Sequence, residues 1–153
     1  MDRLASAVAT ISTGLLAGAF VYAFFTVVPT FSEVPLKIHL PYRDALMRHN
    51  SVYVQIVMCL SIVTPLWLAY VTRESLSARS LAISASILSV TAFLVTRFGN
   101  VPINQMIRTW SADALPLGYQ EFLNLWLMFH NIRTLAALAG FVCIVIAEAR
   151  LKK

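Results

Sequence analysis

The chain has 153 residues, of which 59% are hydrophobic and only 12% are charged. Soluble domains are typically about 45 to 50% apolar, so this composition excludes an ordinary soluble enzyme and indicates one integral membrane domain over residues 1–153. The net charge of +5 is spread over the loops and the C-terminal tail. The sequence has no cluster of basic residues interleaved with aromatic residues, so we expect the chain to interact with the bilayer and not with nucleic acid.

The first apolar segment covers about residues 4–28, close to the roughly 20 residues that a transmembrane helix needs. Within it, Gly14 and Gly18 form a G-x-x-x-G pair that favours close helix packing, within the chain or in a homo-oligomer. Pro29 is expected to end this helix. A loop over residues 29–50 follows, with a short interfacial helix in its second half. Its histidines, His39 and His49, are expected to be exposed.

Three more spans are predicted, over about residues 51–72, 80–98 and 122–147. The second and third are joined by a tight turn. After the third, Asn100 and Pro102 predict a helix start, because Asn caps free N–H groups and Pro is tolerated in the first turn. The predicted fold is therefore all-α: a four-helix transmembrane bundle with a short extra helix, about residues 101–110, between spans three and four.

The distribution of basic residues weakly predicts the membrane orientation of this multi-pass protein. With four spans both termini lie on one side, and six basic residues on that side face five on the other. If Arg97 and Arg108 belong to a site and not to a loop, the comparison becomes six against three. The positive-inside rule then favours cytoplasmic termini.

The fourth span carries polar residues where lipid makes ionisable groups costly, by about 2.5 to 3.5 kcal/mol. Trp126, His130 and Arg133 are three to four residues apart, so they share one helix face. A second polar face is predicted on the short helix and consists of Asn100, Asn104 and Arg108. Both faces lie toward the long connections, which predicts a pocket that opens from that side.

Three strings resemble the small four-helix membrane proteins grouped with the anthrone oxygenases of polyketide pathways. They are Asn100-Val-Pro-Ile-Asn104, Ile107-Arg-Thr-Trp110 and Trp126-Leu-Met-Phe-His130-Asn-Ile-Arg133-Thr134. The N-terminal string Thr13-Gly14-Leu-Leu-Ala-Gly18, followed by Phe24 and Val28-Pro29, is similar as well. Together these matches cover most of the chain.

The resemblance implies a membrane oxidoreductase, a monooxygenase that uses O₂ to convert the activated methylene of a hydroxylated polycyclic aromatic into a quinone carbonyl. This chemistry needs no metal in principle, because a deprotonated anthrone can pass an electron to O₂. The protein must supply a base, groups that stabilise the negative charge of the enolate, and a binding pocket that excludes water. His130 would be the base, and Arg133 or Arg108 would stabilise the oxyanion.

The same resemblance suggests four residues that bind the substrate. Asn100 and Asn104 would hydrogen-bond its phenol oxygens, and Trp110 and Trp126 would wall a planar ring system. Purely structural roles remain open for two of them. Asn100 also fits a helix cap, and Trp110 also fits an interfacial anchor.

Two other interpretations remain. In the first, His39 or His49 folds back to join His130 as ligands of copper, iron or haem; the spacing matches no standard motif, so a cofactor-free site with O₂ as co-substrate is favoured. In the second, the protein is not an enzyme. It would then be a carrier for a small apolar, quinone-like ligand or an assembly subunit whose polar face pairs with another membrane protein.

Overall fold

The computed structural model describes residues 2–151, which are helical through most of their length. Two of the helices continue through a π-helical turn into a shorter helix. In chain order the elements are α1 (Asp2–Tyr22), a π-helical turn (Ala23–Val27), α2 (Val28–Glu33), α3 (Leu36–Val71), α4 (Leu76–Val95), a second π-helical turn (Thr96–Asn100), α5 (Val101–Ile107) and α6 (Tyr119–Leu151).

Four helical rods are long and apolar enough to cross a membrane. They cover Arg3–Glu33, Leu36–Val71, Leu76–Ile107 and Tyr119–Leu151. Helix α1 packs against α3 and α6, and α4 packs against the same two helices on the other side, which closes a ring of four. The predicted all-α integral membrane bundle is thereby confirmed.

Small side chains fill the core at the end of the bundle that holds both termini. The buried cluster there is rich in alanine: Ala5, Ala9, Leu68, Ala69, Ala82, Ala85 and Ile144. A Cβ added at Gly140 would lie 3.3 Å from the carbonyl oxygen of Ala85, so the helix backbones approach closely. The cluster at the opposite end is built from larger side chains, namely Leu40, Ile103, Ile107 and Trp126.

The structure corrects the loop predicted over residues 29–50, which is helical except around Val34 and Pro35. Pro29 lies in the first turn of α2, directly after the π-helical turn, where the regular hydrogen-bond pattern is already interrupted. Pro41 lies inside α3. Its neighbour Leu40 is buried against Ile103, and tertiary packing of this kind overrides the low helix propensity of proline.

The predicted short helix begins at Val101 with Pro102 in its first turn, but it ends at Ile107 and not near Trp110, and Asn100 does not cap it. The backbone of Asn100 is helical, with φ −70° and ψ −38°, and its side chain makes no capping hydrogen bond. The third rod instead runs on through the π-helical turn into α5. Gly99 in this turn lies against the ring of Phe129, where an added Cβ would be only 2.6 Å from Cγ. Glycine at this position lets the turn pack directly on α6.

Candidate functional site

His130 and Arg133 form a hydrogen-bonded pair on the inner face of α6. The His130 side chain is fully buried, and Nε and Nη2 of Arg133 lie 3.2 and 3.0 Å from its Nδ1. A guanidinium has only donors, so Nδ1 must accept these bonds and carries no proton. In the neutral imidazole the proton is then on Nε2. That Nε2 is buried and has no partner among residues 2–151.

Aromatic rings enclose this pair. The indole of Trp126 is stacked on the His130 ring, with 5.2 Å between centroids and 8° between planes. The rings of Phe20 and Phe24 lie 6.3 and 6.4 Å from the same imidazole. The guanidinium carbon of Arg133 is 4.6 Å from the centroid of Phe20. These cation–π contacts partly replace the carboxylate partner that a cation inside a protein usually has.

Both π-helical turns converge on the pair. The first supplies Phe24, and the second supplies Thr96, whose Oγ1 accepts a hydrogen bond of 3.3 Å from Nη1 of Arg133. The second turn also supplies Asn100, whose Nδ2 donates to the carbonyl oxygen of Trp126 at 2.9 Å. Single π-turns inside α-helices are frequent at functional sites, because they redirect side chains locally. Here they fix the turn of α6 that runs from Trp126 to Arg133.

A cavity of about 230 Å³, which we call the His130 cavity, adjoins the pair. Its walls are largely apolar, and Trp126, His130 and Arg133 together form its α6 side. Tyr22 and Tyr53 also line it, and their side chains are 62% and 46% exposed on the outside of the bundle. The cavity therefore reaches the outer surface of the bundle between α1 and α3, whereas the sequence predicted an opening at the long-connection end.

The other predicted site residues do not line this cavity. Asn100 is fully buried and bonded to the backbone of α6, as described above. Asn104 donates to the sulfur of Met47 at 3.3 Å. Arg108 is 44% exposed and forms an ion pair of 2.9 Å with Asp44.

Trp110 packs at the long-connection end, with its ring 6.2 Å from that of Phe122 and 6.3 Å from that of Tyr119. The structure thus brings together Trp126, His130 and Arg133, with Asn100 bonded to the backbone behind them. Asn104, Arg108 and Trp110 lie outside the His130 cavity.

Two buried residues near Trp126 were not predicted to bind substrate: the sequence did not single out Arg43, and it offered His39 only as an exposed residue or a metal ligand. Arg43 is only 3% exposed, and its guanidinium carbon lies 4.1 Å from the centroid of the Trp126 ring. His39, expected to be exposed in a loop, is 5% exposed and stacked on Phe31. Both line a second cavity of about 340 Å³, the Arg43 cavity. Their spacing of four residues was a helical signal, and the neighbouring prolines obscured it.

The three histidines of the chain lie in different surroundings. His49 is exposed, and His39 and His130 line different cavities, with Trp126 in the wall of both. Over residues 2–151 no group of three or more His, Cys, Asp or Glu side chains is placed to hold a metal ion.

Comparison with known families gives one match. The family model described as anthrone oxygenase matches residues 43–143, which is more than half of the chain. The matched segment runs from Arg43 through Trp126, His130 and Arg133. Comparisons with curated proteins and with solved structures gave no match.

Proposed function

The chain belongs to the anthrone oxygenase family, and we propose that it is a membrane oxygenase acting on a hydroxylated polycyclic aromatic of the anthrone type. The reaction consumes one O₂ for each methylene that is oxidised to a carbonyl, with one water as the second product. O₂ is the co-substrate, and the deprotonated aromatic itself supplies the electrons. The methylene proton passes to water, and a proton returns when the hydroperoxide formed with O₂ loses water to give the carbonyl. The substrate reaches the site from the bilayer.

The buried His130–Arg133 pair carries this proposal. An anthrone becomes reactive toward O₂ as its enolate, whose negative charge is shared with the oxygen of the ring ketone. A donor aimed at that oxygen inside a dry site lowers the free energy of the enolate. The Nε2–H group of His130 has no acceptor in the described chain, and an unsatisfied buried donor costs about 1 to 3 kcal/mol. A substrate oxygen would satisfy it.

This assignment changes the role that the resemblance gave to His130. As a base, its Nε2 would have to be free of a proton and accept one from the substrate. The two bonds from Arg133 to Nδ1 place the proton on Nε2 instead. We therefore propose that His130 donates to the oxyanion and that Arg133 fixes the tautomer and adds positive charge. Trp126, which is already stacked on His130, would contact the planar ring system with its edge.

The lateral opening suits an apolar substrate. The His130 cavity has mostly apolar walls, and its exposed rim carries Tyr22 and Tyr53. A molecule dissolved in the lipid would reach the imidazole without crossing the polar end of the bundle. Water would be excluded from the enolate in the same step, which strengthens the hydrogen bonds that hold it.

Oxygen uptake by the purified full chain in lipid nanodiscs tests the proposal, with 1,8-dihydroxyanthrone as substrate and quinone absorbance as a second readout. We expect uptake well above the protein-free rate. It should fall about 10²- to 10³-fold in His130→Ala, the usual cost of losing one donor to an oxyanion. His49→Ala is the matched control, since His49 is exposed and lines neither cavity.

Two outcomes would contradict the proposal. Saturable binding of the anthrone without uptake above the protein-free rate would favour the carrier function instead. Equal uptake in His130→Ala and in the wild-type protein would show that the pair has no part in the reaction.

A further inference from the structure

Arg43 is a buried cation without an anionic partner among residues 2–151. Its contacts are the rings of Trp126 and Phe31, at 4.1 and 5.6 Å from the guanidinium carbon, and Oδ1 of Asn104, at 3.4 Å from Nη2. Its Nε atom makes no hydrogen bond within the described chain. Asp44 is next in sequence, but its carboxylate is bonded to Arg48 and Arg108. Within the described part of the chain, the charge of Arg43 is therefore compensated by no carboxylate.

Two further buried nitrogen atoms beside it have no partner. One is Nε2 of His39, which lies one helical turn before Arg43 and is stacked on Phe31 at 4.5 Å. The other is Nε1 of Trp126, an obligate donor. Buried polar groups are satisfied in the great majority of structures, so three unsatisfied nitrogens on residues that line one space point to a ligand beside them.

That space is the Arg43 cavity. Arg43, His39 and Trp126 all line it, together with Phe31, and its remaining lining includes the polar side chains of Ser32, Tyr119, Gln120 and Asn124. No aspartate or glutamate within the described chain lines it. A ligand here would meet a planar cation and two aromatic faces, with polar groups toward the rim.

We propose that the Arg43 cavity binds an aromatic carboxylate. The carboxylate would accept hydrogen bonds from the guanidinium of Arg43, whose planar fork matches it, and its ring would pack against Trp126 and Phe31. This site is separate from the His130 cavity, although Val28, Phe31 and Trp126 form a wall of both. The proposed binding of an aromatic carboxylate is independent of the oxygenase function, because it can be tested without measuring turnover.

Calorimetric titration of the full chain in neutral-lipid nanodiscs with 1-naphthoate and 1-naphthamide tests the charge requirement. The two probes share the ring system and differ in charge. We expect naphthoate to bind about 10- to 100-fold more tightly, the ratio expected of a hydrogen bond to a charged group. Equal affinities in the wild-type protein, or binding of neither probe, would overturn the proposal without recourse to any variant.

Variants then locate the site. Arg43→Met should remove the preference for naphthoate, and replacing an uncompensated buried charge by an apolar side chain of similar length is expected to leave the fold intact. Lys37→Gln is the control: it removes an exposed cation of the same helix that pairs with Asp113, and it should leave both affinities unchanged. An equal loss of naphthoate affinity in the two variants would mean a diffuse attraction to positive charge and would overturn the site.

A lipid headgroup offers the same anionic chemistry from another source. The naphthoate titration is therefore repeated in nanodiscs that contain an anionic phospholipid. Unchanged affinity supports an aromatic carboxylate as the ligand. Loss of naphthoate binding only in the anionic bilayer would assign the cavity to a headgroup and overturn the proposal.

Discussion

Substitutions at His130 separate the two roles that its imidazole can have. His130→Gln places an amide NH₂ near the position of Nε2, so it keeps a donor toward the His130 cavity but removes any basic nitrogen. His130→Asn places an amide oxygen near the position of Nδ1. It keeps an acceptor for Arg133 but no longer reaches the cavity. His130→Ala removes both groups.

The structure sets the expected effect of each substitution on stability and on activity. In His130→Ala the two donors of Arg133 that now lie 3.2 and 3.0 Å from Nδ1 lose their acceptor. Each lost partner costs about 1 to 3 kcal/mol, so the free energy of unfolding should fall clearly. His130→Asn should recover much of that stability but stay about 10²- to 10³-fold less active than the wild type. His130→Gln should keep activity within about tenfold of wild type, because its amide still donates to the oxyanion.

Oxygen uptake gives the activity, and thermal unfolding in the same nanodiscs gives the stability. General-base catalysis is worth about 10²- to 10⁴-fold, so a base at His130 would leave His130→Gln as inactive as His130→Ala. A folded His130→Gln protein that binds the anthrone with wild-type affinity and shows that full loss would refute the donor role.

Four further predictions follow from the same site and fold. Arg133→Lys keeps the charge but loses the fork that bonds His130 and Thr96 together, so quinone formation should fall at least about tenfold; wild-type rates would show that a point charge suffices. Gly99→Ala should lower the free energy of unfolding by about 1 to 3 kcal/mol, because its Cβ would meet the Phe129 ring at 2.6 Å; an unchanged unfolding temperature would mean that the turn shifts freely. Metal analysis of the purified active protein should detect no stoichiometric copper or iron, and a one-to-one signal would contradict the cofactor-free reaction. A cysteine placed at the C-terminus should resist a membrane-impermeant thiol reagent in intact cells, since the basic residues favour cytoplasmic termini; rapid labelling would reverse the orientation.

The sequence by itself determined the membrane-spanning fold and the core of the candidate site. Four apolar segments predict four membrane-crossing helices, because each charged residue exposed to lipid raises the free energy independently of the rest of the chain. Likewise, the spacing of Trp126, His130 and Arg133 places them on one helix face whatever the rest of the chain does. The structure confirms that Trp126 and His130 face the interior.

Only the tertiary structure decided which groups meet that face. Arg43 lies against Trp126 because α3 continues through residues that read as a loop, and Arg108 is held away by Asp44. The proton position on His130 likewise depends on the contact that Arg133 makes with Nδ1. Local spacing fixes the direction in which a side chain points along its own helix. The partner that it reaches depends on how helices distant in sequence pack together, and no local pattern specifies that packing.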